Sequence, residues 1–258
     1  MEDNSVSTIT LTDNQWFKII AFLRQCPGVY VGNEAKSRRF LEAVLWITRG
    51  GPQWRFLPES YGKWNSVYKR FAGWCDRGIW DQMLAYFATD PDLECLLLDS
   101  TVIRAHPCAA GASAERVGQA QQALGRSRGG FSTKIHIVVD ALGNPLDFVL
   151  TAGQAHDVPQ GQTLLQGRHS DYVIADKAYD ADAFLALIEE MGAIPVIPAR
   201  QNRTEPRYYD AHIYKERHLI ECFINKIKWY RRIFSRFDKL SSRFLGFLSF
   251  VACLIWLR

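Results

Sequence analysis

The chain has 258 residues, 48% of them hydrophobic and 22% charged, so it can build one large domain or two modest ones around a core. Its formal charge of +4 is too small to indicate a nucleic-acid partner, but residues 198–245 hold twelve Lys or Arg against five Asp or Glu. This local positive charge suits either a phosphate-binding surface or a solvated helix face.

Cysteine spacing and hydropathy exclude several other classes. The six cysteines lack C-x-x-C spacing, which argues against structural zinc and favours a reducing, cytoplasmic compartment. The polar N-terminus predicts no signal peptide. The most apolar stretch, residues 244–257, is shorter than the roughly 20 residues that span a bilayer, so we expect a buried C-terminal helix and no membrane partner.

The first 90 residues have helical patterning. A helix capped by Thr12 or Asp13 is followed by helices at about 36–49 and 63–76, and by a fourth after Gly78. Short helices joined by tight turns are typical of a helix-turn-helix DNA-binding domain, but they suit equally an all-helical cap on the rest of the chain. In the first case the candidate DNA-binding cations are Arg38, Arg39, Lys69 and Arg70.

Beyond residue 90, short β-branched runs alternate with turns and helices. Strands are predicted at about 95–103, 134–140, 146–151, 172–176 and 193–198, and helices at about 160–166, 181–191 and 211–235. Three hairpin-ordered strands followed by α-β-α-β is the element order of the ribonuclease H-like fold, an α/β fold with a mixed five-stranded sheet and helices on both faces. Pro195 indicates that the last strand is an edge strand. We therefore expect a helical domain over residues 1–90 and a ribonuclease H-like domain over 91–258.

Two acids end apolar strands of the predicted sheet. Asp99 follows Leu-Leu-Leu and Asp176 follows Tyr-Val-Ile-Ala. An isolated charge in a core is very costly, so both acids are expected at strand ends beside a cleft. Neighbouring carboxylates repel unless a cation lies between them, and Mg²⁺ prefers such oxygen ligands.

A third acid lies on the last long predicted helix. Tyr214, Arg217, Glu221 and Lys228 follow the spacing Y-x2-R-x3-E-x6-K. In a regular helix all four lie within about 60° of one another, and Arg232 returns to the same face. The opposite face is apolar, with Leu219, Ile220, Phe223 and Ile227. One acid among several cations on one face can present a metal ligand beside a phosphate backbone.

Other polar residues compete for these assignments. Asp140 begins a turn and is expected to make local hydrogen bonds, whereas Asp157 precedes a helix and is expected to cap it. His106, His136 and His156 share no metal-binding spacing and are expected to be structural, with a secondary role near the metal left open for His106.

The pattern of acids and cations resembles that of the DDE transposases of bacterial insertion sequences, within the family named after insertion sequence five. Asp99, Asp176, Glu221 and the Tyr-Arg-Glu-Lys signature carry the resemblance, which covers nearly the whole chain. Stretches that resemble further family motifs, in the expected order, are residues 54–58, 98–101, 104–106, 125–130, 132–136 and 175–180. The chain lacks room between residue 198 and the signature helix for the large β-rich insertion that some relatives carry.

The resemblance implies a transposase that binds terminal inverted repeats, cleaves the transposon ends and joins their 3′-hydroxyls to target DNA by two-metal phosphoryl transfer. Asp99 would bridge two Mg²⁺ ions, with Asp176 and Glu221 each completing one site, and Mn²⁺ is expected to substitute. Double-stranded DNA is the expected partner, bound by a homodimer in the cytoplasm, at the nucleoid. The expected DNA-binding residues of this region are Tyr214, Arg217, Lys228, Arg232, Arg126 and Arg128.

Three alternatives remain at this point. Arg126 and Arg128 lie in a segment without the Lys-Ser/Thr ending of a phosphate-binding loop, so no nucleotide is expected, and both side chains are either DNA contacts or simply solvated. The chain could be a non-catalytic DNA-binding regulator derived from a transposase. It could also be a metal-dependent nuclease that lacks strand transfer.

Overall fold

The computed structural model describes residues 9–110, 122–127, 129–201, 203 and 207–258. Its N-terminal part is helical: α1 (Asp13–Gln25), α2 (Glu34–Gly50), α3 (Trp64–Asp76) and α4 (Ile79–Phe87). Thr12 caps α1 in a capping box with Gln15, as its sequence predicts. The Asn33 side chain accepts a hydrogen bond from the Lys36 amide, which starts α2 two residues earlier than expected. The four predicted helices are confirmed.

A mixed sheet forms the centre of the molecule. Its strands are β1 (Cys95–Ala105), β2 (Gly125–Ser127), β3 (Gly130–Val139), β4 (Pro145–Ala152), β5 (Tyr172–Ala175), β6 (Ile194–Val196) and β7 (Ser235–Arg236). β1, β3 and β4 form an antiparallel meander, while β5 and then β6 add in parallel on the other side of β1. β6 is an edge strand, as Pro195 indicated. The five predicted strands are confirmed, and the short β2 and β7 were not predicted.

Helices cover both faces of this sheet, and alternation along β1 separates the two layers. Leu96 and Leu98 pack with α5 (Val158–Leu165) and α6 (Asp182–Glu190) on one face. Leu97 packs on the other face, against a larger core built by α7 (His218–Lys228), α9 (Ser241–Trp256) and the four N-terminal helices. This arrangement is the predicted ribonuclease H-like fold.

The N-terminal helices share one hydrophobic core with α9. Phe247 of α9 stacks on Phe71 of α3, with ring centroids 4.4 Å apart. The Trp54 ring centroid lies 6.1 Å from that of Phe247. Arg243 of α9 also pairs with Asp76 at 2.6 Å. The described residues 9–90 therefore share a core with α9, and residue 90 separates helices from strands without dividing that core. The division into two domains stays a prediction. None of the described helices, α9 included, combines the length and apolar character needed to cross a membrane.

The predicted long helix over 211–235 is wrong. Residues 213–217 form 3-10 helix, α7 ends at Lys228, and Tyr230 is extended (φ −88°, ψ 108°) before the short α8 (Arg231–Phe234). The buried Tyr230 ring lies under the Arg49 guanidinium of α2, 5.0 Å from its centroid. This tertiary contact holds the chain against α2 and interrupts the helix that the sequence periodicity predicts.

Candidate active site

Asp99 and Asp176 lie side by side at the centre of the sheet. β1 and β5 are parallel, and Leu98 is the register partner of Ala175. Asp99 and Asp176 are the residues that follow this pair. Asp99 lies within β1, and Asp176 is one residue beyond the end of β5. Asp176 Oδ1 accepts a hydrogen bond from the Ala178 amide at 2.8 Å and thereby caps the 3-10 turn that follows the strand. The two acids are therefore neighbours, but only Asp176 stands at a strand end; Asp99 lies within β1, so its predicted strand-end position is wrong.

Asp99 is the most enclosed of the predicted acids, with 9% of its surface exposed. Burial raises its pKa, and Arg217 opposes the rise, while Asp176 and Glu221 add to it. The Ser100 amide donates to Asp99 Oδ1 at 2.7 Å. The carboxylates of Asp176 and Glu221 therefore both act on Asp99 electrostatically, and the combined negative charge favours a cation.

The first turn of α7 carries Glu221. The buried side of the helix, formed by Ile220, Phe223, Ile224 and Ile227, packs on the sheet. Phe223 stacks on Phe148 of β4, with ring centroids 6.1 Å apart. This packing leaves the Glu221 side chain 53% exposed on the opposite side of α7, where it forms an ion pair with Arg217.

Arg217 joins two of the acids. Its Nη2 donates to Asp99 Oδ2 at 2.6 Å, and its Nη1 donates to Glu221 Oε1. The predicted role of Arg217 as an outward phosphate ligand is therefore not what this structure shows, because two carboxylates already neutralise its charge. A helical wheel identifies the face of a residue but not the charged groups that meet it there.

The donor set suits a divalent cation. Asp99, Asp176 and Glu221 offer hard carboxylate oxygens, the ligands that Mg²⁺ prefers. In the described part of the chain, however, no three His, Cys, Asp or Glu side chains lie close enough together to hold a metal ion. The Arg217 guanidinium takes the place between Asp99 and Glu221. The chemistry of the residues fits a metal ion, and their spacing requires this arginine to move.

Two further signature residues flank the acids. Tyr214 is half-buried in an edge-to-face contact with Tyr209, with centroids 5.4 Å apart. Burial raises the pKa of Tyr214; Arg217 opposes the rise, and Asp176 adds to it, so the ring lies near the acids. Lys228, at the end of α7, has no ion-pair partner among the described residues.

Arg232 is a second correction. The interruption at Tyr230 removes it from the α7 face, and the structure buries it at 6% exposure. It forms a two-pronged ion pair with Asp238, at 2.7 and 3.0 Å, and donates to the Pro52 carbonyl at 3.1 Å. Its predicted DNA contact is wrong, because a buried and paired guanidinium is not available to phosphate.

The N-terminal cations divide into two groups. Arg38 bonds to Asp13, Glu42 and the Leu11 carbonyl. The Arg70 guanidinium lies 4.3 Å from the centroid of the Phe40 ring and donates to Ser37. Both arginines are thus structural, which corrects their assignment to DNA. By contrast, Arg39, Lys69 and Arg126 are exposed, and Arg128 lies outside the described residues.

Asp140 and Asp157, the two other candidate acids, differ in their contacts. Asp140 accepts hydrogen bonds from the Leu142 and Asn144 amides at 3.0 and 2.7 Å, which confirms its turn role. Asp157 stands at the N-cap of α5, but its side chain makes no capping bond. It pairs instead with Lys134 Nζ at 3.2 Å, so its predicted capping role is wrong.

A buried polar cluster surrounds Asp157 on the α5 side of the sheet. His136 is fully buried; its Nε2 lies 2.8 Å from Thr151 Oγ1, and its Nδ1 faces Asp157 Oδ1 at 3.3 Å without good hydrogen-bond alignment. The Tyr179 hydroxyl is buried without a hydrogen-bond partner in the described part of the chain, and burial and the Asp157 charge raise its pKa. Lys134 and Tyr179 carried no sequence signal beyond the motifs that contain them.

His136 and His106 confirm their structural assignment, whereas that of His156 stays a prediction. His136 belongs to the cluster just described. His106 Nδ1 accepts from the Cys108 amide at 3.2 Å, and its ring stacks on Phe237, so its contacts are local. His156 is exposed.

A ribonuclease H-like sheet that carries two neighbouring aspartates, with a glutamate on an adjacent helix, is the frame of metal-dependent enzymes that act on nucleic-acid phosphates. The family model for the transposase DDE domain matches residues 90–255, and a model provisionally described as a transposase of the IS4/5 family matches residues 11–84. The chain therefore belongs to the DDE transposase family, as its motifs predicted, and is a transposase of that class.

Individual relatives agree with this family. A Brucella ovis protein, provisionally named a transposase for insertion sequence element IS6501, is 45% identical over 129 residues, 49% of this chain and 99% of the relative. A similarly named protein for element IS402 of Burkholderia cepacia is 30% identical over 48% of this chain and 62% of the relative. Among solved structures, a piggyBac transposase synaptic complex with hairpin DNA superposes with a TM-score of 0.42 at 14% identity, over 80% of this chain and 50% of that chain.

Proposed function

We propose that this transposase binds double-stranded transposon ends, cleaves them and joins the 3′-hydroxyls to target DNA, with Asp99, Asp176 and Glu221 as ligands of divalent metal ions. The observation that carries the proposal is the convergence of these three acids, two on adjacent parallel strands and the third linked to Asp99 through Arg217. A bound divalent cation supplies Lewis-acid stabilisation of the phosphoryl oxygens during in-line displacement.

The three acids would divide the work by position. Asp99, the most enclosed, would contribute to both metal sites, and Asp176 and Glu221 would each complete one of them. Mg²⁺ fits these hard ligands, and Mn²⁺ is expected to replace it.

DNA would lie along the exposed side of α7. Lys228 is seven residues beyond Glu221, about 10 Å along the helix axis, which is too far to share a metal ion but suitable for a neighbouring phosphate. Arg126, Arg39 and Lys69 are further exposed candidates for phosphate contacts. Tyr214 offers an aromatic ring that could support a distorted terminal base. A homodimer would hold the paired ends.

The experiment uses the DNA that flanks the coding region as its source of inverted repeats. The full-length protein, Mg²⁺ and a labelled duplex of such an end are incubated with a target plasmid. Joined product supports the proposal. Cleavage without joining would make the protein a nuclease, and binding without cleavage would make it a regulator.

A matched control separates chemistry from folding. Glu190 is an exposed acid on α6, outside the site. Glu190→Gln is expected to keep full cleavage and joining, whereas omitting the metal or adding a chelator is expected to abolish both. Cleavage that persists in the presence of chelator would contradict the metal-dependent mechanism.

A further inference from the structure

Arg217 is held more tightly than a surface DNA ligand needs to be. Its side chain is 19% exposed, and its two terminal nitrogens bond to Asp99 and Glu221. Its Nε is buried and has no hydrogen-bond partner among the described residues. Because the two terminal nitrogens donate to Asp99 on β1 and to Glu221 on α7, Arg217 fixes the position of α7 relative to β1.

The same contacts interfere with a divalent cation. The oxygens that accept from Arg217 are oxygens that the proposed metal ligands must offer, and a guanidinium beside a bound cation adds like-charge repulsion. In the observed arrangement the guanidinium takes one oxygen of Asp99 and one of Glu221, so it competes with a cation for these carboxylates.

We propose that Arg217 is a positioning residue that holds Asp99 and Glu221 together before metal binds, and that it competes with the divalent cation for both carboxylates. The inference rests on the proposed function because it takes these acids as the metal ligands. Metal entry requires Arg217 to leave at least one of them, so the DNA-free protein binds metal more weakly than its three acids alone would.

The test measures Mn²⁺ binding to the DNA-free, full-length protein by calorimetry and by the loss of the free-ion electron paramagnetic resonance signal. Arg217→Gln is expected to bind Mn²⁺ about tenfold or more tightly than the wild type, the factor that corresponds to losing one competing charge-assisted hydrogen bond. Arg217→Lys keeps one charge but cannot span two carboxylates, so its affinity should be intermediate.

Arg203 provides the matched control. It also bridges two carboxylates, with Nε 2.8 Å from Asp180 and Nη2 2.7 Å from Asp182, and its side chain is 20% exposed. It lies outside the proposed site. Arg203→Gln should therefore leave Mn²⁺ affinity unchanged, and an equal gain there would overturn the assignment to Arg217.

Thermal unfolding gives a second readout that a merely structural arginine would not produce. Without metal, Arg217→Gln should melt at a lower temperature than the wild type, because it leaves the acids uncompensated, and Mn²⁺ should raise its Tm by more. If Arg217→Gln does not fold, Arg217→Lys carries the same comparison.

The outcomes separate this inference from the proposed function. Equal Mn²⁺ affinity in the wild type and the Arg217 variants would overturn the competition alone. No Mn²⁺ binding by any variant would overturn the metal-ligand assignment itself. Adding Glu221→Gln to Arg217→Gln should remove the gain, and a gain that survives would show that Glu221 is not one of the contested ligands.

Discussion

Asp99, Asp176 and Glu221 share one proposed task although their surroundings differ. The Asp99 side chain is 13% exposed, whereas the Glu221 side chain is 53% exposed. Asp99→Asn, Asp176→Asn and Glu221→Gln each keep the side-chain shape and remove the charge that a metal ion requires. Each is expected to lower the cleavage rate by on the order of 10³-fold or more, since metal ions contribute several kcal/mol to the transition state.

Binding of transposon ends should survive these three substitutions, because phosphate contacts come from cations elsewhere. The measurement pairs a cleavage time course with a mobility-shift titration at fixed salt. A variant that cleaves at nearly the wild-type rate would remove its residue from the site. A variant that loses both activities with a lowered Tm would report misfolding instead.

The Asp157–Lys134 pair gives a prediction about pH. Despite the cost of burial, the neighbouring His136 and Ser100 side chains and the ion pair with Lys134 hold the pKa of Asp157 at about 2. A carboxyl with a lowered folded-state pKa stabilises the protein above its unfolded pKa, near 4, and loses that contribution as the pH falls towards 2. Asp157→Asn is therefore expected to destabilise by about 2 kcal/mol at pH 7 and by clearly less at pH 3.

Urea unfolding of the wild type and Asp157→Asn at both pH values checks this expectation. Asp147 supplies the control, because it pairs with Arg168 at the surface and its side chain is 54% exposed. Asp147→Asn should cost under about 1 kcal/mol. A loss from Asp157→Asn that does not change between pH 7 and pH 3 would show that the charge of Asp157 is not what stabilises the fold.

At the scale of elements, the sequence predicts what depends on local pattern. The capping box at Thr12, the hairpin turn at Asp140 and the edge position of Pro195 follow from local hydrogen bonding and backbone geometry, and all three were predictable. β7 has only two residues, too few for a period to be read. The break at Tyr230 depends on its contact with Arg49, a partner far away in sequence.

The candidate site also has parts that follow from local sequence and parts that depend on distant contacts. The motif spacing identified the acids, and the strand register places Asp99 beside Asp176. The sequence could not show that Arg217 turns inward to Asp99, 118 positions away. The sequence correctly placed Asp157 at the start of a helix. It could not show the ion pair of this side chain with Lys134, because Lys134 lies on a separate strand.

The break between α7 and α8 separates two cations that one continuous helix would have aligned. Lys228 has no ion-pair partner among the described residues, whereas Arg232 is buried with Asp238. Lys228→Ala is expected to weaken end binding and reduce its salt dependence by about one unit of slope, with little change in stability. Arg232→Gln should instead destabilise the protein by about 3–5 kcal/mol, because it leaves Asp238 buried and unpaired.

Salt-dependent binding titrations and denaturant unfolding of both variants decide between the two roles. The double variant Arg232→Gln, Asp238→Asn removes both charges and should recover part of the lost stability. If Arg232→Gln left stability unchanged and weakened DNA binding, the buried placement of that arginine would be wrong.

At the scale of the whole molecule, one core unites the two ends of the chain. α9 lies between the sheet and the N-terminal helices, where Phe247 contacts Phe71 and Ser249 donates to Asp81 at 2.7 Å. The N-terminal helices therefore depend on the last helix of the chain for their packing. Recognition of DNA by this region, if its exposed cations serve that purpose, is coupled to the folding of the catalytic sheet.

This shared core predicts that the protein unfolds as one unit. Six of its eight tryptophans lie within residues 1–90, so fluorescence reports mainly on the N-terminal helices, while far-ultraviolet circular dichroism reports on the whole chain. The two signals should give coincident transitions in denaturant. Phe247→Ala removes a fully buried ring and should shift both midpoints together, with a loss of about 3–5 kcal/mol.

A fragment of residues 1–90 should lack a cooperative transition, because it is missing α9. A cooperative transition in that fragment, or a Phe247→Ala effect on only one signal, would contradict the single core and restore an independent N-terminal domain.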